Sequence, residues 1–251
     1  MKSLIFGYGV TGQSFERYLE KQGEAYEIYD ANVKGSNIIN KLPDRKKLDS
    51  YKMIYLSPGI NIRKIYSGGE FNNVPYTTDL DIFFKEDNSV KIGITGTNGK
   101  STCCYHLHQL LAGSQLIGNI GTPVLDNINS CSYSIIEISS FQLEKLEDIN
   151  LDFGVLLNIA PDHIDHHGSF AEYKKIKNKI KKSKISTNQS DPKKLWSMIT
   201  GREENEVKDI KLLDLPHRLE HILTMRNLVF INDSKATNTN ALKFALNQVS
   251  N

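Results

Sequence analysis

The chain has 251 residues, 39% hydrophobic and 24% charged, with 31 basic against 29 acidic side chains and a formal charge of +2. That length allows one large or two ordinary domains around a lean core, and the near-balance of charge argues against a nucleic-acid or membrane partner for the whole molecule. The opening Met-Lys-Ser-Leu-Ile-Phe-Gly7 meets a glycine too soon for a signal peptide, and no apolar run spans a bilayer, so a cytoplasmic protein is expected.

Ser3-Leu-Ile-Phe6 reads as a buried strand, 13–22 as a helix, 25–30 as a second strand and 53–56 as a later one ending at Ser57-Pro-Gly59. This βαβ rhythm predicts a doubly wound, Rossmann-like α/β unit over 1–88. Between its first strand and helix, Gly7-x-Gly9-x-x-Gly12 matches the dinucleotide fingerprint, and Asp30 stands 18 residues beyond Gly12, near where an acid meets a ribose. Alone, that pattern fits an NAD-linked oxidoreductase or a tight turn that holds any diphosphate.

A second α/β unit is expected over 89–212. The run 90–95 is β-rich, and Gly93-Ile-Thr-Gly-Thr-Asn-Gly-Lys-Ser-Thr102 follows it into a helix over 103–111. Such a loop turns backbone N–H groups and the positive end of a helix toward a polyphosphate. Lys100 can reach the β/γ-phosphates, and Ser101 or Thr102 can offer a hydroxyl to Mg²⁺. The spacing departs from G-x-x-x-x-G-K-[ST]: Ile94 stands where a glycine belongs, and the extra glycine is Gly96. A triphosphate grip in the same chain weighs against hydride transfer.

Cys103 and Cys104 open that helix and read as small apolar fillers. With Cys131 they make an odd set lacking C-x-x-C, against a disulfide frame or a zinc site. Strands are expected at 133–138 and 153–158. Glu137, at the end of the first, is placed to hold Mg²⁺. Asp162-His-Ile-Asp-His-His-Gly168 is dense in possible ligands; a zinc reading is weak without thiolates, a hard Mg²⁺ with one imidazole fits better, and His166 and His167 individually read as a wet loop. The lysines of 174–182 read mostly as the solvated face of a helix over 172–184. From 186 to about 214 the chain is polar and weakly patterned, a compressed connection. A new apolar pattern starts at Pro216, with a strand over 229–232 and a helix after 240, as if opening a third unit over 213–251 whose remainder is missing.

Together these pieces resemble the Mur ligase family, ATP-dependent enzymes that build the peptidoglycan peptide, and within it the D-glutamate-adding branch. The resemblance rests on Gly96-Thr-Asn-Gly-Lys-Ser-Thr102, Leu56-Ser-Pro-Gly-Ile60, Gly118-Asn-Ile-Gly121, Glu137-Ile-Ser-Ser-Phe-Gln-Leu-Glu144, Asn158-Ile-Ala-Pro-Asp-His-Ile-Asp165, His217-Arg-Leu-Glu220 and Asn232-Asp-Ser-Lys-Ala-Thr-Asn238, in family order. It implies that ATP phosphorylates the alanine carboxylate of UDP-N-acetylmuramoyl-L-alanine and that D-glutamate attacks the acyl phosphate.

By the same resemblance, Gly96, Thr97, Asn98, Gly99, Lys100, Ser101 and Thr102, with Arg218, Asp233, Lys235 and Thr237, contact ATP. Val10, Thr11, Asp30, Ser57 and Gly59 contact the uridine nucleotide, and Asn119, Ser139, Gln142 and His163 line the path of the sugar and alanine. Ser101 or Thr102 with Glu137 hold one Mg²⁺, His163 helps hold a second, and Lys177, where the family carries a carbamylated lysine, is a further metal ligand. A cytoplasmic monomer is implied. Two departures stand out: the family's Gly-x-His-Asn-x-x-Asn adenine segment is not found between Ser186 and Pro216, and most of a third domain is missing. A non-catalytic UDP-muramoyl- and nucleotide-binding remnant is therefore the alternative, and an NAD-linked oxidoreductase the more distant one.

Overall fold

Four consecutive apolar or small residues, Ser3–Phe6, are all buried and form strand β1 at the centre of a parallel sheet, as expected where helices cover both faces. In this computed structural model, which describes residues 1–35, 37–69, 71 and 73–249, the sheet is completed by β2 (Tyr26–Tyr29), β3 (Ile38–Ile39), β4 (Ile54–Leu56) and β5 (Tyr76–Thr77), in the order β3-β2-β1-β4-β5. Strand order reverses beside β1, so the crevice at the carboxyl ends of β1 and β4 is the natural ligand position.

The second sheet is also all parallel: β6 (Val90–Thr95), β7 (Ser114–Gly118), β8 (Tyr133–Glu137), β9 (Phe153–Leu156) and β10 (Ile185–Thr187), in the order β10-β9-β6-β8-β7. β6 is central, so the segment that follows it emerges between the ends of β8 and β9. A mixed α/β architecture with parallel sheets is thus the observed fold. A hairpin of β11 (Glu220–Met225) and β12 (Leu228–Asn232) and a helix Thr239–Val249 follow. The hairpin exposes Leu223, Met225, Leu228, Val229 and Phe230.

The first two sheets share one apolar core. Ile5, Phe15 and Leu19 from the first continue through Leu80 and Phe83 of the helix Asp79–Glu86 to Val124, Ile136 and Leu143 of the second. Thr78 starts that linking helix with a capping box to Asp81, which satisfies two otherwise orphaned backbone donors. Across the same junction Arg17 pairs with Asp126 at 2.5 Å.

Several expectations need correction. The helices expected from 13 and 103 begin at Val10 and Lys100, because each glycine turn runs straight into its helix. The stretch 186–214 is not a bare connection: it holds most of β10 and a helix Pro192–Thr200, and its Leu195, Trp196 and Val207 pack with Cys103, Cys104 and Leu107. A spaced trio of large apolar side chains anchors an otherwise polar segment. The lysine-rich helix runs Phe170–Asn178 and tightens to a 3₁₀ turn over Lys179–Lys182. Among the described residues, no helix is long and apolar enough to cross a membrane.

Candidate active site

Gly99 stands at φ +85°, and the helix Lys100–Leu110 starts on it. The positive φ suits glycine and turns the loop back over the end of β6. Asn158, after β9, clasps the loop: its side-chain oxygen accepts from the Asn98 N–H at 3.0 Å, and its amide donates to the Asn98 carbonyl at 2.9 Å. Thr97 Oγ1 lies 3.1 Å from both the Ala160 carbonyl and the Tyr173 hydroxyl. The Lys100 ammonium donates to the Gly96 and Thr97 carbonyls at 2.9 and 3.0 Å. Burial lowers its pKa, against the pull of Glu137 and Asp162.

Glu137, at the end of β8, is almost fully buried. It accepts from Ser101 Oγ at 2.7 Å and from the Asn119 amide at 2.7 Å. Hydroxyl and carboxylate oxygens side by side form the donor set a hard divalent cation takes. The loop, Glu137 and Asn119 share a cavity of about 240 Å³ with Arg218, Lys235 and Thr237 from the last segment. That segment reaches the loop directly, for Asn238 donates to Asn98 Oδ1 at 2.9 Å. Asp233 does not line the cavity; one of its oxygens lies 3.5 Å from Arg218 Nη1 and accepts from the Leu219 N–H at 3.2 Å, so it positions Arg218.

A second cavity, about 570 Å³, opens at the crevice between β1 and β4. It brings together Val10, Thr11, Asp30, Ser57, Gly59, Asn119 and Gln142. Ser57 Oγ donates to the Gly7 carbonyl at 2.7 Å and ties the two strand ends. Asp30 accepts from the backbone N–H groups of Tyr8, Asn32 and Val33; burial works to raise its pKa, but these donors hold it below the usual value. Ser139 is not among the lining residues: its hydroxyl caps the helix Ser140–Lys145 in a capping box with Gln142. Asn119 lines both cavities.

His163 lines neither cavity. It has φ +50°, a half-exposed ring 4.9 Å from that of Phe141, and Nε2 3.8 Å from Asp162 Oδ2. Lys177 departs most from its neighbours: it is 1% exposed, and its Nζ donates to Thr95 Oγ1 and the Gly96 carbonyl, both at 2.9 Å. Burial, with the nearby Lys100 charge, pushes its pKa well below that of an ordinary lysine. The flanking Lys174, Lys175, Lys181 and Lys182 are exposed, as a solvated face should be. His166 and His167 are not in a wet loop; His167 is buried and His166 nearly so. Cys103 and Cys104 are buried, and burial raises their thiol pKa values, to about 12 for Cys103, as inert fillers require. Residue spacing gave no sign of the Asn98–Asn158 clasp, because its halves lie on different strand ends. Asn238 ends the stretch Asn232-Asp-Ser-Lys-Ala-Thr-Asn238, but its contact with Asn98 depends on the fold.

Residues 94–190 match the model of the Mur ligase middle domain. Members of this family are ATP-dependent ligases. The particular relatives it matches include the UDP-N-acetylmuramoylalanine–D-glutamate ligases of Francisella tularensis subsp. mediasiatica, 28% identical over 306 positions, and subsp. novicida, 29% identical over 305. Each alignment spans all of this chain, and 71% and 72% of the respective relative. Both are longer than 251 positions, so these relatives carry internal residues that this chain does not. Among solved structures, the UDP-N-acetylmuramate-alanine ligase of Thermotoga maritima superposes with a TM-score of 0.42 at 16% identity, over 74% of this chain and 48% of its own. The UDP-N-acetylmuramate:L-alanyl-gamma-D-glutamyl-meso-diaminopimelate ligase of Neisseria meningitides gives 0.43 at 14%, over 79% and 75%. This chain therefore spans about half the length of the Thermotoga ligase.

Proposed function

We propose that this chain acts in peptidoglycan assembly as an ATP-dependent ligase that joins D-glutamate to UDP-N-acetylmuramoyl-L-alanine. In this reading, residues 1–88 hold the UDP end and 89–212 the ATP. Residues 213–251, of which 250 and 251 lie outside the described residues, would supply a segment that closes over the nucleotide. The observation that carries the proposal is Asn119, which walls both cavities and donates to the buried Glu137. A triphosphate on the loop and a carboxylate entering from the first cavity would meet there.

The residues fit phosphoryl transfer to a carboxylate, where catalysis is mainly positioning and charge neutralisation. Lys100 would leave the Gly96 and Thr97 carbonyls and neutralise the transferring phosphoryl group. Arg218, held by Asp233, and Lys235 and Thr237 would close the nucleotide side. The alanine carboxylate would take the γ-phosphoryl group of ATP, releasing ADP, to become an acyl phosphate; the D-glutamate amine would attack its carbonyl carbon and lose a proton, and phosphate would leave with the new amide formed. Ser101, Thr102 and Glu137, with His163 and a carbamylated Lys177, would hold Mg²⁺, which supplies positive charge to the phosphoryl oxygens when bound. Burial that lowers the pKa of a lysine eases loss of its proton, the free amine can add CO₂, and the resulting carbamate is the oxygen donor such a cation prefers. A cytoplasmic monomer without a membrane or nucleic-acid partner completes the proposal.

Phosphate release from ATP tests this. Release should require UDP-N-acetylmuramoyl-L-alanine, and Lys100→Ala should lower it by about a hundredfold or more. Binding of both nucleotides without substrate-dependent release would leave a binding protein and overturn the catalytic claim.

A further inference from the structure

Glu144, His166 and His167 bring a carboxylate oxygen and two imidazole nitrogens within 4.8 Å of one another, outside both cavities. We infer that this cluster is a binding site for a zinc-class divalent ion at the junction of the two sheets. His166 Nε2 lies 2.8 Å from Glu144 Oε2, and His167 Nδ1 lies 3.9 Å from the same oxygen.

His167 supplies the independent observation. The residue is 3% exposed, and its buried Nδ1 has no hydrogen-bond partner among the described residues. Its other nitrogen, Nε2, is 3.0 Å from Ser140 Oγ. If Nε2 carries the proton, Nδ1 points a bare lone pair toward a carboxylate. If Nδ1 carries it, the N–H is too far from Glu144 to bond. Either tautomer leaves a buried polar atom unsatisfied, which a metal ion would relieve. With the ion on Nδ1, the Nε2–H donates to Ser140, the orienting contact that metal-bound imidazoles commonly make.

Two imidazoles and one carboxylate, with a fourth position for water, are a common zinc donor set. The ligands fit without thiolates. The Arg63 guanidinium lies 3.7 Å from Glu144 Oε1, the other carboxylate oxygen, and leaves Oε2 to the ion. His166 Nδ1 faces the Asn61 amide of the first unit at 3.1 Å. With an ion on Nε2, this nitrogen carries the proton, and the Asn61 amide, whose Oδ1 accepts from the Lys64 N–H at 3.0 Å, must give up that cap to turn its oxygen to His166. The ion would thereby link the segment after β9, the helix Ser140–Lys145 and the first unit.

The test is calorimetric titration of the metal-stripped whole chain with ZnCl₂, with Co²⁺ as a spectroscopic probe. One ion per chain should bind with a dissociation constant of about a micromolar or tighter, and Co²⁺ should give visible bands of nitrogen–oxygen coordination. Glu144→Gln and His167→Gln should each weaken binding by about tenfold or more, whereas Lys100→Ala should not, which separates this site from the nucleotide cavity. Absence of stoichiometric binding, or folded Glu144→Gln and His167→Gln proteins that bind as tightly as the unaltered chain, would overturn the inference. A thiolate charge-transfer band with Co²⁺ would place the metal on cysteine and overturn it too.

Discussion

Asp79 is held as a buried carboxyl, 4% exposed, at the wall of the larger cavity, with Oδ1 unpartnered among the described residues. Burial, aided by Asp81, raises its pKa from 3.8 to about 6. Between those values the folded chain keeps a proton that the unfolded chain has lost, so stability falls as pH rises through this window, by about 3 kcal/mol. Asp79→Asn should remove that slope and be the more stable protein at pH 7; urea denaturation of both at pH 4 and pH 7 measures it, and an unchanged slope would refute the assignment. Lys177 makes a different prediction. Lys177→Ala should lose substrate-dependent phosphate release, and formate or acetate should restore part of it by supplying the missing oxygens; failure of rescue in a folded variant would remove the carbamate role. Its burial was partly legible, since Tyr173, Ile176, Lys177 and Ile180 share the inward side of one helix and its 3₁₀ extension. Adjacent histidines gave no such periodicity, so the burial of His166 and His167 could not be read from spacing.

The strand-to-helix turn behind the larger cavity depends on close backbone approach. A Cβ on Gly12 would stand 2.2 Å from the Gly7 carbonyl oxygen, whereas one on Gly9 would meet nothing within 4 Å. Gly12→Ala should therefore cost about 1–3 kcal/mol, as overpacking does, and Gly9→Ala should be nearly neutral; equal melting temperatures for the two variants would contradict this geometry. Elements with continuous apolar runs were legible: β1 and β6 fall where the sequence places them. Polar elements were not. β10 exposes Ile185, and the helix Pro192–Thr200 is identified by an Asp191 cap and two buried residues rather than by a long apolar pattern. β11 exposes most of its side chains, so burial gave its sequence no alternation to read.

For the whole molecule, the shared core sets the distance between the cavities, because the helix Asp79–Glu86 packs on both sheets. Sequence motifs could name the residues of each cavity but not the Asn119 wall between them, which depends on how one sheet sits on the other. The Asn98–Asn238 contact likewise brings the last segment onto the phosphate loop. Disrupting it with Asn238→Ala should weaken ATP binding several-fold and leave UDP-substrate binding unchanged, by calorimetry.

Paired calorimetric titrations of the whole chain, one with Mg²⁺-ATP and one with UDP-N-acetylmuramoyl-L-alanine, test the two-cavity account most directly. Each ligand should bind at one site, with Lys100→Ala losing ATP alone. Binding of NADH without binding of the UDP-linked substrate would contradict it.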